Sequence, residues 1–260
     1  MKHLIAILTL LSFTGDIWGQ PTGKVLDSLQ LRLTTAPNDS TRAKILNELG
    51  MKYANQGDYP NSVLNLLASM RIYEKLKNEY EILICRSRLS DVYIFQGEYS
   101  TALNYILSAK RGVEDGIIYD QLGTIYLYQN DLNNSFINFK NALNFYREKE
   151  DSNIVSRILN DIGTIYEMKK DKNSDSALVY YFESIKIAKS LNNKTNLIGG
   201  YASIGDFYFF KKQYLKSKKY ENKSLSLAKE IGSLSSMMET ELMLSKIDSA
   251  LNLPYESLEH

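Results

Sequence analysis

The segment Leu49-Gly50-Met51-Lys52-Tyr53, followed by the turn Gly57-Asp58-Tyr59, decides the fold of this chain. It places a small residue directly after an aliphatic residue and a tyrosine three positions further on. The same arrangement returns, about 33 to 42 residues apart, at Leu89-Ser90 with Tyr93, Leu122-Gly123 with Tyr126, Ile162-Gly163 with Tyr166 and Ile204-Gly205 with Tyr208. A weaker sixth copy is Leu244-Ser245, where Asp248 replaces the tyrosine. A pattern that recurs at this interval is typical of helical-repeat proteins.

A second pattern follows each copy and consists of a small residue, a large one four positions later and another small one three positions after that. The large positions hold Leu66, Ile106, Phe139 and Tyr181, with Glu221 in the fifth copy. The small positions hold Ser62 and Ser69, Ala102 and Ala109, Ser135 and Ala142, Ala177 and Ser184, and Ser217. Spacings of three and four place these residues on one face of a helix.

Together the two patterns predict an all-α chain built from helix-turn-helix units. Turn signals such as Gly57-Asp58 and Asn130-Asp131 end one helix and start the next. The small residues allow two antiparallel helices to approach closely, and the large residues fill the space between them. Because a single unit cannot bury its apolar face alone, we expect the units to stack on their neighbours.

The copies resemble the tetratricopeptide repeat family, whose signature contains Leu-Gly, then Tyr, then Ala, then a bulky aromatic residue. The resemblance covers residues 43–260 and implies a right-handed superhelical solenoid of antiparallel helix pairs. The sequence departs from the family because no tryptophan precedes the Leu-Gly pair, the terminal proline is missing, and Glu221 stands where an aromatic residue is expected. The units are also longer than the family's usual length of about 34 residues.

The N-terminus differs in composition from the rest of the chain. Met1-Lys2-His3 gives a positive start, and an apolar run of about ten residues follows and ends at Phe13. This run is too short to span a bilayer comfortably. With the small residue Gly19 after it, the segment 1–19 has the layout of a secretory signal peptide. We therefore expect an exported protein that is located in the periplasm.

The remaining chain divides into an N-terminal cap and a repeat region. The cap, residues 20–42, holds a short amphipathic helix and a turn whose helix-capping residue is predicted to be Asp39 or Ser40. The predicted repeat units are residues 43–82, 83–115, 116–155, 156–197, 198–237 and a partial unit at 238–260. The segment from Leu253 fits the start of the second helix of that last unit.

Several classes of function are excluded by composition. The two histidines are His3 and His260, which removes histidine-based catalysis and ordinary zinc sites. The 31 basic and 30 acidic residues are balanced, and no basic stripe predicts nucleic-acid binding. No glycine-rich phosphate loop is present, and the single cysteine, Cys85, is expected to be a buried, inert thiol. We therefore predict no enzyme activity, no catalytic residue, no cofactor and no metal site.

The resemblance implies that the first helix of each unit lines a concave groove that binds a protein or a peptide. The implied groove residues flank the Leu-Gly pair, four positions apart on one helical face. They are Asn47 and Met51, Ser87 and Asp91, Asp120 and Thr124, Asn160 and Thr164, and Asp206, which follows Ala202. The family's clamp for C-terminal carboxylates needs basic residues that the first and third of these pairs lack. The groove is therefore expected to prefer a neutral or a basic peptide.

An alternative is that the chain forms the extracytoplasmic sensor region of a longer membrane-bound signalling protein, either a histidine kinase or a transcriptional regulator. Residues 20–50 are similar to the start of such proteins in Bacteroidetes, and the sixth unit is incomplete. Leu258-Glu259-His260 is either native or the start of an affinity tag. Under this alternative a membrane segment would follow His260. The sequence does not fix the oligomeric state.

Overall fold

The computed structural model describes residues 21–109, 115–169 and 175–252, and every regular element in these ranges is an α-helix. The predicted signal peptide, the segment directly before Asp175 and the predicted helix starting at Leu253 lie outside the described residues. Within the three ranges, no helix combines the length and the apolar character needed to cross a membrane.

The described ranges contain twelve helices. They are α1 (Pro21–Thr34), α2 (Asp39–Asn55), α3 (Tyr59–Lys75), α4 (Glu79–Phe95), α5 (Tyr99–Leu107), α6 (Asp115–Tyr128), α7 (Leu132–Glu148), α8 (Ser152–Met168), α9 (Ser176–Ser190), α10 (Lys194–Phe210), α11 (Tyr214–Ile231) and α12 (Leu234–Asn252). The helices α2, α6, α8 and α10 each start shortly before the residue at which a predicted repeat unit starts.

The chain divides into two compact units after Val92. Unit 1 contains α1 to α3 and most of α4, and unit 2 contains the end of α4 and the helices that follow. In both units the packed neighbouring helices are joined by short connections, so they run antiparallel. The pairs α2–α3, α6–α7, α8–α9 and α10–α11 confirm the predicted all-α architecture of stacked helix pairs.

The predicted alternation of small and large residues accounts for the packing within each pair. Leu66 is fully buried against Gly50, and Phe139 packs in the same way against Gly123. A Cβ atom added to Gly123 would lie 2.7 Å from Cδ1 of Phe139, so even a methyl side chain would have to displace the ring. At Gly50 and Gly123 the close approach of the two helices therefore requires a glycine.

Two of the serines at the predicted small positions link the two helices of a pair. Oγ of Ser135 donates a hydrogen bond to the carbonyl oxygen of Gly123, and Oγ of Ser217 donates one to that of Gly205, both at 2.8 Å. Because each hydroxyl finds an acceptor inside the interface, the penalty for burying a polar group is avoided. These positions therefore combine close helix approach with a polar link.

Four turns between paired helices in the described ranges contain a residue with a left-handed backbone. Gly57 and Gly97 have φ values of +77° and +76°, which glycine adopts without strain. The residues at the same point of two later pairs, Asn130 and Lys212, have φ values of 60° and 57°. Asp58 then caps α3 by accepting a hydrogen bond from a backbone N–H of its first turn. The Gly-Asp signal thus ends one helix and caps the next.

Apolar clusters connect successive helices inside each unit. In unit 1, Leu29 of α1 is buried against Ile45 and Leu49 of α2. In unit 2, one cluster lies between α7 and α8 and a second lies between α9 and α10, and Tyr166 packs against both. The substantial contacts of unit 2 join helices that are adjacent or next but one along the chain. Its core is therefore built up from neighbour to neighbour.

Two local predictions are wrong. The N-cap of α2 is Asn38 and not Asp39 or Ser40, because Asn38 has the extended backbone of a cap while the next two residues are already helical. Ala109 was predicted to lie on the buried face of a helix together with Ala102. Helix α5 ends at Leu107, so Ala109 lies beyond the helix and is only half-buried.

Candidate functional site

Asn47, the first predicted groove residue, is buried inside unit 1, with 4% of its surface exposed. Its Nδ2 donates to Sγ of Cys85 at 3.6 Å, and its Oδ1 accepts a hydrogen bond from Nη1 of Arg88 at 2.5 Å. Both Nδ2 and Oδ1 of Asn47 therefore form hydrogen bonds with side chains of α4. Burial also raises the pKa of the Cys85 thiol, which makes this cysteine a poor nucleophile, in line with the expectation from sequence.

A pocket of about 370 Å³ lies beside Asn47 in unit 1. The predicted residue Met51 lines it, together with Lys44, Glu48, Lys52, Asn55, Tyr73, Glu81 and Arg88, which the sequence pattern did not single out. The hydroxyl of Tyr73 is buried without a hydrogen-bond partner in the described ranges, and burial raises its pKa to about 12. Lys44 lies three positions before Asn47, which is one helical turn away on the same face. A search for groove residues that included this preceding turn would have predicted Lys44.

The predicted groove residues Ser87 and Asp91 lie on α4 and are half-buried. Arg88, which follows Ser87 directly, makes the hydrogen bond to Asn47 instead. The residues that unit 1 brings together are therefore only partly those that the family resemblance implies.

In unit 2, Arg157 of α8 forms an ion pair with Asp120 of α6. The sequence pattern did not single out Arg157. Arg157 donates from Nη2 to Oδ2 of Asp120 and from Nη1 to Oδ2 of Asp161, the latter at 3.1 Å. Burial raises the pKa of Asp161 to about 7, although Arg157 opposes the rise. The second oxygen of Asp120, Oδ1, is buried and has no hydrogen-bond partner among the described residues.

Asn160 occupies the corresponding position of the next pair. Its Nδ2 donates to Oγ of Ser203 on α10 at 3.0 Å, while its Oδ1 is buried without a partner in the described part of the chain. Thr164 donates its hydroxyl to the backbone oxygen of Asn160 at 3.3 Å, and Thr124 does the same to Asp120 at 3.1 Å. Both threonines thus bond to the preceding helical turn, and the free acceptors belong to Asp120 and Asn160.

Asp206 lies on α10 and interacts with Glu167 of α8, whose pKa it helps to raise. Oε2 of Glu167 accepts a hydrogen bond from the hydroxyl of Tyr181 at 2.8 Å. Burial raises the pKa of Glu167 to about 7 and that of Asp206 to about 6, where Lys246 opposes the rise. Neither Glu167 nor Tyr181 was singled out as a groove residue from the sequence.

The five predicted residues of unit 2 lie on the first helices of three successive pairs. We call them the polar row: Asp120, Thr124, Asn160, Thr164 and Asp206. Cross-helix hydrogen bonds from Arg157 and Asn160 connect α6 to α8 and α8 to α10. Carbonyl and carboxylate acceptors outnumber donors along the row, so it is complementary to a ligand that carries N–H groups. Over the described ranges, no group of three or more His, Cys, Asp or Glu side chains is placed to hold a metal ion.

No protein-family model and no curated protein matches this sequence. Several solved structures are similar to it. A signal transduction ATPase with a tetratricopeptide repeat sensor from Pyrococcus horikoshii is 17% identical with a TM-score of 0.56, over 86% of this chain and 37% of that one. Aspartyl phosphate phosphatase F from Bacillus subtilis is 14% identical with a TM-score of 0.63, over 90% and 63% of the two chains. NprR in complex with its cognate peptide NprX is 16% identical with a TM-score of 0.59, over 92% and 75%.

These likenesses concern the fold, since each identity is below 20%. This chain spans 37% of the ATPase and 63% of the phosphatase. The repeated small and large residues, the stacked antiparallel pairs and the similar structures all agree on one architecture. The chain has the fold of the tetratricopeptide-type helical-repeat proteins.

Proposed function

We propose that this chain is a non-enzymatic scaffold that binds an extended peptide, or an extended segment of a protein, along the polar row of unit 2. The observation that carries this proposal is the pair of buried acceptors, Oδ1 of Asp120 and Oδ1 of Asn160, that have no hydrogen-bond partner among the described residues. Leaving a buried acceptor without a donor costs about 1–3 kcal/mol. An extended peptide presents backbone N–H groups at regular intervals, and two of them would satisfy these acceptors once the side chains of Asp120 and Asn160 turn toward the ligand.

The likeness to NprR supports the same class of partner. NprR has a similar fold and binds its cognate peptide NprX. The acceptor-rich chemistry of the polar row adds that the ligand should carry more donors than acceptors toward α6, α8 and α10. A neutral or basic peptide meets this requirement, whereas a peptide with acidic side chains would place like charges next to Asp120 and Asp206.

The test is a peptide selected by phage display against the purified chain, followed by affinity measurements on variants. Asn160→Ala removes one unsatisfied acceptor, and we expect it to weaken binding of the selected peptide about fivefold, the effect of one hydrogen bond. Asn141→Ala is the matched control, because Asn141 is an exposed asparagine on α7, outside the row. Equal affinities of the wild type, Asn160→Ala and Asp120→Asn would show that the peptide does not bind at the polar row.

Export is a separate part of the proposal, supported by the signal-peptide pattern of residues 1–19. Cell fractionation of the full chain and of a variant that lacks residues 2–19 tests it. We expect the full chain in the periplasmic fraction and the shortened chain in the cytoplasm. Recovery of both chains in the cytoplasm would contradict export.

A sensor region of a longer signalling protein is the second function proposed. The similar fold of the Pyrococcus horikoshii ATPase, which has a tetratricopeptide repeat sensor, favours it. The native coding sequence after His260 distinguishes the two functions. A membrane helix followed by a kinase or DNA-binding domain would support the sensor, and a stop codon after one more helix would exclude it.

A further inference from the structure

The pocket beside Asn47 lies entirely within unit 1, between α2, α3 and α4. We call it the unit 1 pocket. Its two buried lining residues, Asn47 and Tyr73, form the floor. The exposed lining residues surround the opening and are Lys44, Glu48, Lys52 and Asn55. The half-buried ones form the wall and are Met51, Glu81 and Arg88. A volume of about 370 Å³ lies at the lower end of the range for small-molecule sites.

Arg88 in the wall of the unit 1 pocket makes no ion pair with a described residue. Its guanidinium donates from Nη1 to Oδ1 of Asn47, which belongs to a neutral amide. Its Nε and Nη2 make no hydrogen bond to the described part of the chain. A half-buried cation that faces a neutral partner is less well stabilised than one that faces an anion. Asn47 therefore orients Arg88, and the remaining N–H donors of the planar fork are complementary to an anion.

The two carboxylates that line the pocket do not supply this anion. Oε2 of Glu48 lies 3.8 Å from Nη1 of Arg32 on α1, so Glu48 forms an ion pair outside the pocket. Glu81 lies on α4 seven residues before Arg88, which separates the two by about 10 Å along the helix axis. The charge of Arg88 therefore remains available to a ligand.

Two lysines at the opening make the lining positive. Lys44 and Lys52 form no ion pair within the described ranges, and together with Arg88 they place three cations against two carboxylates. The lining therefore has a net charge of +1, which attracts a singly charged anion. Met51 and the ring of Tyr73 add apolar surface to the same lining. These properties suit an acid that joins an ionised group to a small apolar body.

Tyr73 provides a hydrogen-bond donor at the floor of the pocket. Its side chain is 1% exposed and packs in an apolar cluster with Ala43 and Cys85. Its hydroxyl has no hydrogen-bond partner in the described ranges, and burial raises its pKa to about 12, so it keeps its proton at neutral pH. A ligand oxygen that reaches the floor, once a lining side chain has moved aside, would accept a hydrogen bond from this hydroxyl. The cost of leaving the hydroxyl without a partner would then be removed.

We propose that the unit 1 pocket binds a small organic monocarboxylate. Its carboxylate accepts hydrogen bonds from Arg88 and, at the floor, from Tyr73, while its apolar body contacts Met51. Lys44 and Lys52 attract it to the opening. None of the three cations lies at one of the residue pairs of the family's clamp for C-terminal peptide carboxylates, so this site is distinct from that clamp. The site belongs to unit 1 and goes beyond the function proposed for the polar row.

The experiment is an NMR titration of the full chain at about pH 7 and low ionic strength with benzoate, benzamide and inorganic phosphate. Benzamide has nearly the shape of benzoate but carries no charge. We expect benzoate to bind about tenfold more tightly than benzamide, as charge-assisted hydrogen bonds allow. We expect phosphate to bind more weakly than benzoate, because it has no apolar body. The side-chain amide signals of Asn47 report on binding at the pocket, since its Oδ1 contacts Arg88.

Variants identify the groups responsible. Arg88→Gln removes the cation and should abolish the preference for benzoate over benzamide. Arg71→Gln removes an exposed cation of α3 outside the pocket and should keep that preference. Tyr73→Phe removes a hydroxyl that has no partner among the described residues, so it should not lower the melting temperature. It should weaken benzoate binding about fivefold, the effect of one hydrogen bond.

Three results would overturn the inference. The first is equal binding of benzoate and benzamide to the wild type. The second is a preference for benzoate that survives in Arg88→Gln, shown to be folded by circular dichroism, because the carboxylate would then lie elsewhere. The third is phosphate binding as tight as that of benzoate, which would show a general attraction of anions. If Arg88→Gln does not fold, Tyr73→Phe decides, and an unchanged benzoate affinity in that variant would count against the site.

Discussion

Glu221 packs its carboxyl group directly against Gly205, at the position where Tyr181 packs against Gly163 in the preceding pair. In both pairs a side chain of the second helix therefore packs on a glycine of the first, but between α10 and α11 that side chain is titratable. Burial and the neighbouring Asp206 raise the pKa of Glu221 to about 8. The interface between α10 and α11 keeps the packing pattern of the repeat, but its stability depends on whether Glu221 is protonated.

The first prediction concerns the pH dependence of stability. Because the pKa of Glu221 is raised from 4.5 to about 8, the folded state holds a proton over this range that the unfolded state releases. The free energy of unfolding should therefore fall as the pH rises from about 4.5 to about 8. Glu221→Gln should reduce this fall by at least about 1.4 kcal/mol, the equivalent of one pKa unit.

Urea denaturation monitored by circular dichroism at several pH values measures this fall. Asp161 and Glu167, whose pKa values burial also raises, contribute equally to the wild type and to the variant, so the difference between the two reports on Glu221. The exposed Glu148→Gln serves as the control. Identical pH profiles for the wild type and Glu221→Gln would contradict a buried, protonated Glu221.

Two adjacent glycines of α10 provide a second prediction. A Cβ atom at Gly200 would lie 2.7 Å from Cγ1 of Ile185, whereas a Cβ atom at Gly199 would have nothing within 4 Å. Gly200→Ala should lower the free energy of unfolding by about 1–3 kcal/mol through overpacking. Gly199→Ala should raise it by up to about 1 kcal/mol, because alanine favours the helix. Thermal and urea unfolding measure both, and equal effects would show that α9 and α10 do not touch at Gly200.

A third prediction compares two arginines of unit 2. Arg157→Gln leaves Asp120 and Asp161 close together without their shared cation, and we expect a loss of about 1–3 kcal/mol in unfolding free energy. Arg147→Gln breaks an exposed ion pair with Glu183 at 3.3 Å and should cost less than about 1 kcal/mol. Restoring stability by adding Asp120→Asn to Arg157→Gln would support the ion pair as the cause. If both single variants lose the same stability, the polar row does not depend on Arg157.

The fourth prediction uses the single cysteine as a probe of unit 1. Cys85 is fully buried, and burial raises the pKa of its thiol. A thiol reagent should therefore label it about a hundredfold more slowly than an exposed cysteine, at a rate limited by local opening. Ser40→Cys in a Cys85→Ala background provides the exposed reference. Labelling of both thiols at the same rate would show that Cys85 of α4 is not buried.

Residues that pack within one helix pair could be predicted from the sequence. Gly50, Leu66, Gly123 and Phe139 recur at fixed spacings, and those spacings alone place each large residue on a glycine. Helix ends were less predictable. Asn38 caps α2 although its neighbour Asp39 has an equally suitable side chain, because the choice depends on where the backbone turns from extended to helical.

The candidate site was predictable only in part. The polar row follows from the spacing within one helix, since each of its residues lies at a fixed distance from the repeated aliphatic and small pair. The contacts of Arg157 and Glu167 do not follow from such a spacing, because their partners Asp120 and Tyr181 lie on other helices. Which side chains meet across helices depends on the offset between them, and no local spacing encodes that offset.

The contacts of unit 2 have a consequence for how such a chain can change in evolution. They join helices that are adjacent or next but one, so a tandem duplication of one whole pair would add contacts of the same near-neighbour kind. Lengthening the molecule this way needs no contact between helices far apart along the chain. It also copies the Asn160 position with its surroundings, so a longer ligand could be recognised by copying residues already in place.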